Sequence, residues 1–135
     1  MYKNILIPVI LDKLHDTQAS YLVARALAGA DTSFTVLHVI EAIPEYVASQ
    51  IPGDVLDGAR HETEQALKQS AAALPGAKTQ LVYGHAGRFI LDFAHENNFD
   101  CIIMASHRPG LEDYFLGSTA ARVVRHARCS VHVIR

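Results

Sequence analysis

The chain has no excess of positive charge. Twelve Lys and Arg stand against 14 Asp and Glu, a formal net charge of −2. Proteins that hold nucleic acid neutralise its phosphates with basic residues, so no nucleic-acid partner is expected. Arg122, Arg125 and Arg128 read as the solvated face of a helix. Cysteine is scarce too. Cys101 and Cys129 are the two, and they form no Cys-x-x-Cys pair, which removes the common thiol-based zinc and redox motifs. Each lies in an apolar run, the usual place of a buried reduced thiol. No apolar stretch approaches the ~20 residues that cross a bilayer. The opening Met1-Tyr2-Lys3-Asn4 leads straight into a strand-like run, without the apolar region of a secretory signal. The expected location is cytoplasmic, with no membrane insertion.

Motifs of dedicated catalysts are also missing. There is no Gly-x-Ser-x-Gly elbow, no Gly-x-x-x-x-Gly-Lys-Ser/Thr loop and no His-Glu-x-x-His. The eight histidines are numerous, yet His15, His61, His85, His95 and His126 are scattered over separate elements, so no metal site is expected. His38 and His132 fall within strands and suit structural or interface roles. Ser106 and His107 are sequence neighbours without an acidic orienter, which is not a triad. No catalytic residue is assigned, and no enzyme is expected beyond weak ATP hydrolysis.

What is present is apolar material in a regular order. Half of the 135 residues are hydrophobic, enough for the core of one domain. Ile5-Leu6-Ile7-Pro8-Val9-Ile10 is a continuous apolar run that fits a strand covered on both faces. Pro8 cannot donate to a ladder, so the strand is expected to end there. Further strands are expected at 34–40, 79–83, 101–105 and 130–134. Helical spacing follows Asp16 and ends near Gly29-Ala30-Asp31-Thr32-Ser33. It recurs at 55–74 as a stripe of Val55, Leu56, Ala59, Ala66, Leu67, Ala71 and Leu74, then around Phe89 to Asn97, and at 118–127. Strands alternating with helices imply parallel βαβ units with right-handed crossovers in a single α/β domain spanning 1–135. The longest irregular stretch runs from Glu41 to about Asp54.

Ligands of open α/β sheets bind beyond the C-terminal ends of the strands, at the switch in strand order. The segment after the fourth strand draws most interest: Met104-Ala105-Ser106-His107-Arg108-Pro109-Gly110, then Gly117-Ser118-Thr119 opening a helix. A helix N-terminus offers unsatisfied N–H groups and a positive dipole end. Gly117 permits close approach, Ser118 and Thr119 add hydroxyls, and Arg108 adds a charge, a combination suited to phosphate. An ordinary turn at Gly117 followed by an N-cap at Ser118 accounts for the same residues equally well.

The segment Ala105-Ser106-His107-Arg108-Pro109…Gly117-Ser118-Thr119…Val123-Val124-Arg125-His126-Ala127…Cys129-Ser130-Val131, with the element order around it, resembles the universal stress protein family over essentially the whole chain. The resemblance is to the small bacterial branch of the F and G paralogues. It implies an open five-stranded parallel sheet of order 3-2-1-4-5 with helices on both faces, Rossmann-like and of the adenine nucleotide alpha-hydrolase-like type. It implies a module of the bacterial stress response that binds ATP or another adenine nucleotide, with or without Mg, and a homodimer joined through Ser130 to Ile134, acting on an unknown protein partner. By position, Pro8 and Val9 would line the adenine and ribose edge, and Val39 would offer backbone atoms to adenine. Met104 and Ala105 would lie beneath ribose and phosphates, His107 and Arg108 would flank the phosphates, and Gly117, Ser118 and Thr119 would hold them. Binding members carry Gly-x-x-Gly, nine residues, then Gly-Ser or Gly-Thr. Here Ala105 and Arg108 occupy the glycine positions, the spacer is one residue shorter, and Ile10 stands where the ribose-binding Asp is expected. Asp12 and Glu41 could approach the crevice, and each reads equally well as an ordinary loop charge. Ala105 and Ile10 favour the alternative of a nucleotide-independent dimeric interaction module.

Overall fold

The computed structural model describes residues 1–11, 16–41, 43–106 and 116–135. The elements are β1 (Tyr2–Pro8), α1 (Thr17–Leu27), β2 (Ala28–Ile40), α2 (Glu45–Ala48), α3 (Gly53–Ala71), β3 (Lys78–Tyr83), α4 (Ala86–Glu96), β4 (Cys101–Ala105), α5 (Ser118–His126) and β5 (Ser130–Ile134). The strands form one sheet of order β3-β2-β1-β4-β5, and every pairing is parallel. This is the expected open α/β sheet, with β1 at its centre and β3 and β5 at its edges. Among the described residues no helix is long and apolar enough to cross a membrane.

Successive side chains of a strand point to opposite faces, and the central strands feed two cores. On one face Ile5, Ile7 and Ile103 pack with Tyr21 and Ala24 of α1 and with Leu67 and Ala71 of α3. On the other, Leu6, Ile102 and Met104 pack with Ile90 and Ala94 of α4 and with Ala120 and Val123 of α5. Burial on both faces is why β1 and β4 read as continuous apolar runs.

Three expectations change. Residues 28–33, expected to close the first helix, extend β2 to 13 residues. The polar turn residues are absorbed in a register irregularity, with Tyr2 opposite Ala28 but Asn4 opposite Ser33. Thr32 holds it together: its hydroxyl donates to the Tyr2 carbonyl at 2.5 Å and accepts from the Gly29 N–H at 2.8 Å. Second, the stretch from Glu41 contains the short helix α2, and both α2 and α3 start after a proline, Pro44 and Pro52. Third, the apolar stripe of α3 is buried only at its C-terminal end, at Leu67 and Ala71; Val55 is 55% exposed.

Candidate functional site

The site expected from the strand order lies where β1 and β4 end side by side and the chain leaves them in opposite directions, toward β2 on one side and β5 on the other. After β1, Val9 is buried and its N–H donates to the Leu37 carbonyl at 2.8 Å. Pro8, lacking an N–H, ends the strand as expected. The Val9 carbonyl lies 3.0 Å from Nδ1 of His38. A carbonyl only accepts, so His38 donates from Nδ1 and is held in that tautomer. His38 thus fixes the backbone at the crevice edge, a structural role in keeping with its place inside a strand. Val39, next on β2, is half-buried against the second core.

On the β4 side, Met104 is buried, Ala105 is exposed and Ser106 is 2% exposed. Ser106 turns the chain. Its N–H donates to the Ile134 carbonyl at 2.8 Å, and its own carbonyl accepts from the Gly117 N–H at 2.6 Å. The Ser106–Gly117 bond closes the base of the intervening connection and brings the start of α5 beside the end of β4. Gly117, not Ser118, is the N-cap, with φ −58° and ψ 153°. Its carbonyl accepts from Ala121 N–H at 2.8 Å. Among the described residues the N-cap of α5 makes no side-chain hydrogen bond, which leaves amides of its first turn to a ligand or water. Ser118 is exposed and Thr119 half-buried at this end.

The structure therefore brings Pro8, Val9, Met104, Ala105, Gly117, Ser118 and Thr119 to the C-terminal end of the sheet around the switch between β1 and β4, with Val39 on the adjoining β2. His107 and Arg108, expected to flank phosphates, lie outside the described residues, as does Asp12. Ile10 is 51% exposed at the same end and carries no hydrogen-bonding side chain. His85, read above as a scattered histidine, caps α4: its Nδ1 accepts from the Arg88 N–H at 3.3 Å. Histidine is uncommon among capping residues, so composition gave no signal of it. Among the described residues, no group of three or more His, Cys, Asp or Glu is arranged to hold a metal ion.

Comparison with known proteins bears on this arrangement. The model of the universal stress protein family matches residues 1–135. Universal stress protein G of Salmonella typhimurium is 27% identical over 142 residues, covering all of both chains. Among solved structures, the universal stress protein UspA from Lactobacillus plantarum superposes with a TM-score of 0.73 at 28% identity, over 99% of this chain and 98% of that one. The universal stress protein from Archaeoglobus fulgidus in complex with dAMP shares the fold, with a TM-score of 0.67 at 16% identity, over 99% of this chain and 98% of that one.

Proposed function

Because the chain belongs to the universal stress protein family, we propose that it is a cytoplasmic regulatory module that binds an adenine nucleotide in the crevice above β1 and β4. The observation that carries this reading is the uncapped start of α5, tied beside the end of β4 by the Ser106–Gly117 bond. Open amides, a glycine without a side chain and two adjacent hydroxyls form a cradle for anionic oxygens at the positive end of a helix. An archaeal protein of the same fold was solved with dAMP, which supports an adenine nucleotide as the ligand class.

In this reading Gly117, Ser118 and Thr119 hold the phosphates, Met104 and Ala105 underlie the ribose, and Pro8, Val9 and Val39 border the base. His107 and Arg108 supply charge to the phosphates. The ligand is ATP or another adenine nucleotide, with or without Mg, and the nucleotide state alters a surface read by a protein partner. A ligand changes such a surface only through unequal affinity for its two states. The protein binds rather than turns over its ligand.

Calorimetric titration with ATP and AMP, with GTP as control, tests this on the wild type and on Ser118→Ala. Saturable binding that prefers adenine nucleotides and weakens in the variant is the expected result. Absence of binding by folded, nucleotide-free protein overturns it in favour of a nucleotide-independent dimeric module. Ile10, apolar and half-exposed at the crevice, is the observation that favours that second reading. Phosphate release that Ser118→Ala abolishes would instead make the protein an ATP hydrolase.

A further inference from the structure

The ladder between β1 and β2 stops one bond early. The register sets Pro8 opposite Leu37, so Val9 falls opposite His38. In a parallel pair a residue bonds both neighbours of its opposite number: its N–H meets the carbonyl before, and its carbonyl meets the N–H after. Val9 makes the first bond, from its N–H to the Leu37 carbonyl at 2.8 Å. The second would join the Val39 N–H to the Val9 carbonyl. That carbonyl is taken instead by the His38 side chain, whose Nδ1 donates to it at 3.0 Å. A carbonyl can accept two hydrogen bonds, yet among the described residues the Val39 N–H makes none to it.

The direction of the Val39 backbone follows from the other side of β2. The Gly84 N–H donates to the Ile40 carbonyl at 2.8 Å, which turns the backbone groups of Ile40 toward β3. Those of Val39, one residue earlier, face β1. Past Val9 the β1 side carries no further ladder. The N–H and C=O of Val39 are therefore a donor and an acceptor side by side at the wall of the crevice.

Adenine fits such a pair and guanine does not. Along its ring edge adenine offers N1 as an acceptor beside its 6-amino donor. Guanine offers N1–H as a donor beside O6 as an acceptor. At a donor–acceptor pair set for adenine, each guanine group meets its like, and polar groups left unpaired in a site discriminate strongly.

The inference rests on the reading of the crevice as an adenine-nucleotide site. We infer that His38 is a positioning residue for base recognition: by occupying the Val9 carbonyl it ends the ladder before Val39 and leaves the Val39 N–H and C=O open to adenine. It acts through Val9. Without it, the freed carbonyl takes the Val39 N–H and the strands close across the place of the base.

Two variants separate this role from a merely structural one. His38→Leu keeps bulk and removes the donor. His38→Asn keeps a nitrogen donor the same number of bonds from the backbone. Amide exchange is followed by NMR on the nucleotide-free protein. The Val39 amide is expected to exchange fast in the wild type and in His38→Asn, and to be protected in His38→Leu. Calorimetry then compares ATP with GTP. His38→Leu should bind ATP about tenfold more weakly and lose most of the preference over GTP, and His38→Asn should restore both. A Val39 amide already protected in the wild type, or unmoved by His38→Leu, overturns the proposal. So does an ATP preference that His38→Leu leaves unchanged, a result under which the nucleotide reading still stands. Equal losses in both variants, with ATP and GTP falling together, mark damage to the strand and also overturn it. A wild type that binds no adenine nucleotide overturns the nucleotide reading and base recognition with it.

Discussion

Tyr21 and Ser70 meet at 2.7 Å, oxygen to oxygen, across 49 residues of sequence. Tyr21 is fully buried on α1, and Ser70 lies one residue before the end of α3. A buried phenol needs a partner for its O–H, and this bond supplies it while joining the two helices on one face of the sheet. Thr17 adds a longer contact to Ser70 at 3.4 Å. Tyr21→Phe keeps the ring and removes the bond. It is expected to cost about 1 kcal/mol, read as a lower urea midpoint with an unchanged slope. Combined with Ser70→Ala, the two losses should fall short of additivity, because they delete the same bond.

Asp100 closes the gap between β1 and β4. Its carboxylate oxygens accept from the Lys3 N–H at 2.8 Å and the Asn4 N–H at 3.0 Å, and its own N–H donates to the Asn4 carbonyl at 3.0 Å. The two strands are tied where the regular ladder has only Ile5 opposite Cys101 and Leu6 opposite Ile102. Asp100→Ala is expected to destabilise by about 2 kcal/mol, since both bonds are made to a charged acceptor. Asp100→Asn retains one acceptor oxygen and should lose less. Hydrogen exchange at Lys3 and Asn4 should quicken in Asp100→Ala. Unchanged exchange at both would show that the carboxylate does not hold them.

Burial pushes the Cys101 thiol from its ordinary 9.0 up to about 11, with the neighbouring Cys129 and Asp100 adding to the rise. Ionisation removes a proton, so between these values the native state keeps a proton that the unfolded chain has lost. Stability is complete below about pH 9 and falls as the pH rises toward 11, through a term on the order of 2 kcal/mol. Cys101→Ala should flatten this part of a urea-midpoint profile. At neutral pH, alkylation followed by mass spectrometry should modify the half-buried Cys129 before Cys101, which is 1% exposed.

The open edge of β5 carries the proposed dimer. The Ile134 carbonyl accepts from Ser106, which turns Ile134, and by alternation His132 and Ser130, toward β4. The backbone groups of Val131 and Val133 then face outward. Unpaired edge groups invite a second strand, and pairing of two copies gives a closed two-fold dimer. Val133→Pro removes one outward N–H and leaves the ladder to β4 intact. Sedimentation should show a dimer for the wild type and a shift to monomer for Val133→Pro, with circular dichroism unchanged. A wild-type monomer at micromolar concentration would overturn the edge-pairing arrangement.

Much of the fold was legible in the residue pattern. The strand limits at Cys101–Ala105 and Ser130–Ile134 follow from short apolar runs bounded by polar residues. Pro8 marked the end of β1 because the absent N–H is a local property. The extension of β2 back through Gly29 and Asp31 was not legible, since strand propensity argues against these two residues. Their place depends on the Thr32 bridge to Tyr2, a partner 30 residues away. The exposed start of α3 was equally hidden. Its apolar spacing continues from Val55 to Ala71, but the sheet beneath supports only the last turns.

The candidate site divides in the same way. Gly117, Ser118 and Thr119 stood out because a glycine followed by hydroxyls at a helix start has local chemical meaning. His38, His85 and Arg128 did not stand out. Each acts through one partner across space: a carbonyl, a helix amide or an imidazole.

By itself the sequence determined the alternation of strands and helices, the covering of both faces of the central strands, and the glycine-led start of the last helix. These are properties of spacing and of single residues. Only the tertiary structure decided which carbonyl orients His38, where the stripe of α3 stops being buried, and that Arg128 meets His95 across 33 residues of sequence. The physical reason is that hydrogen bonds and cavities belong to groups distant along the chain, and their value appears only once packing has removed water and fixed the distance between them.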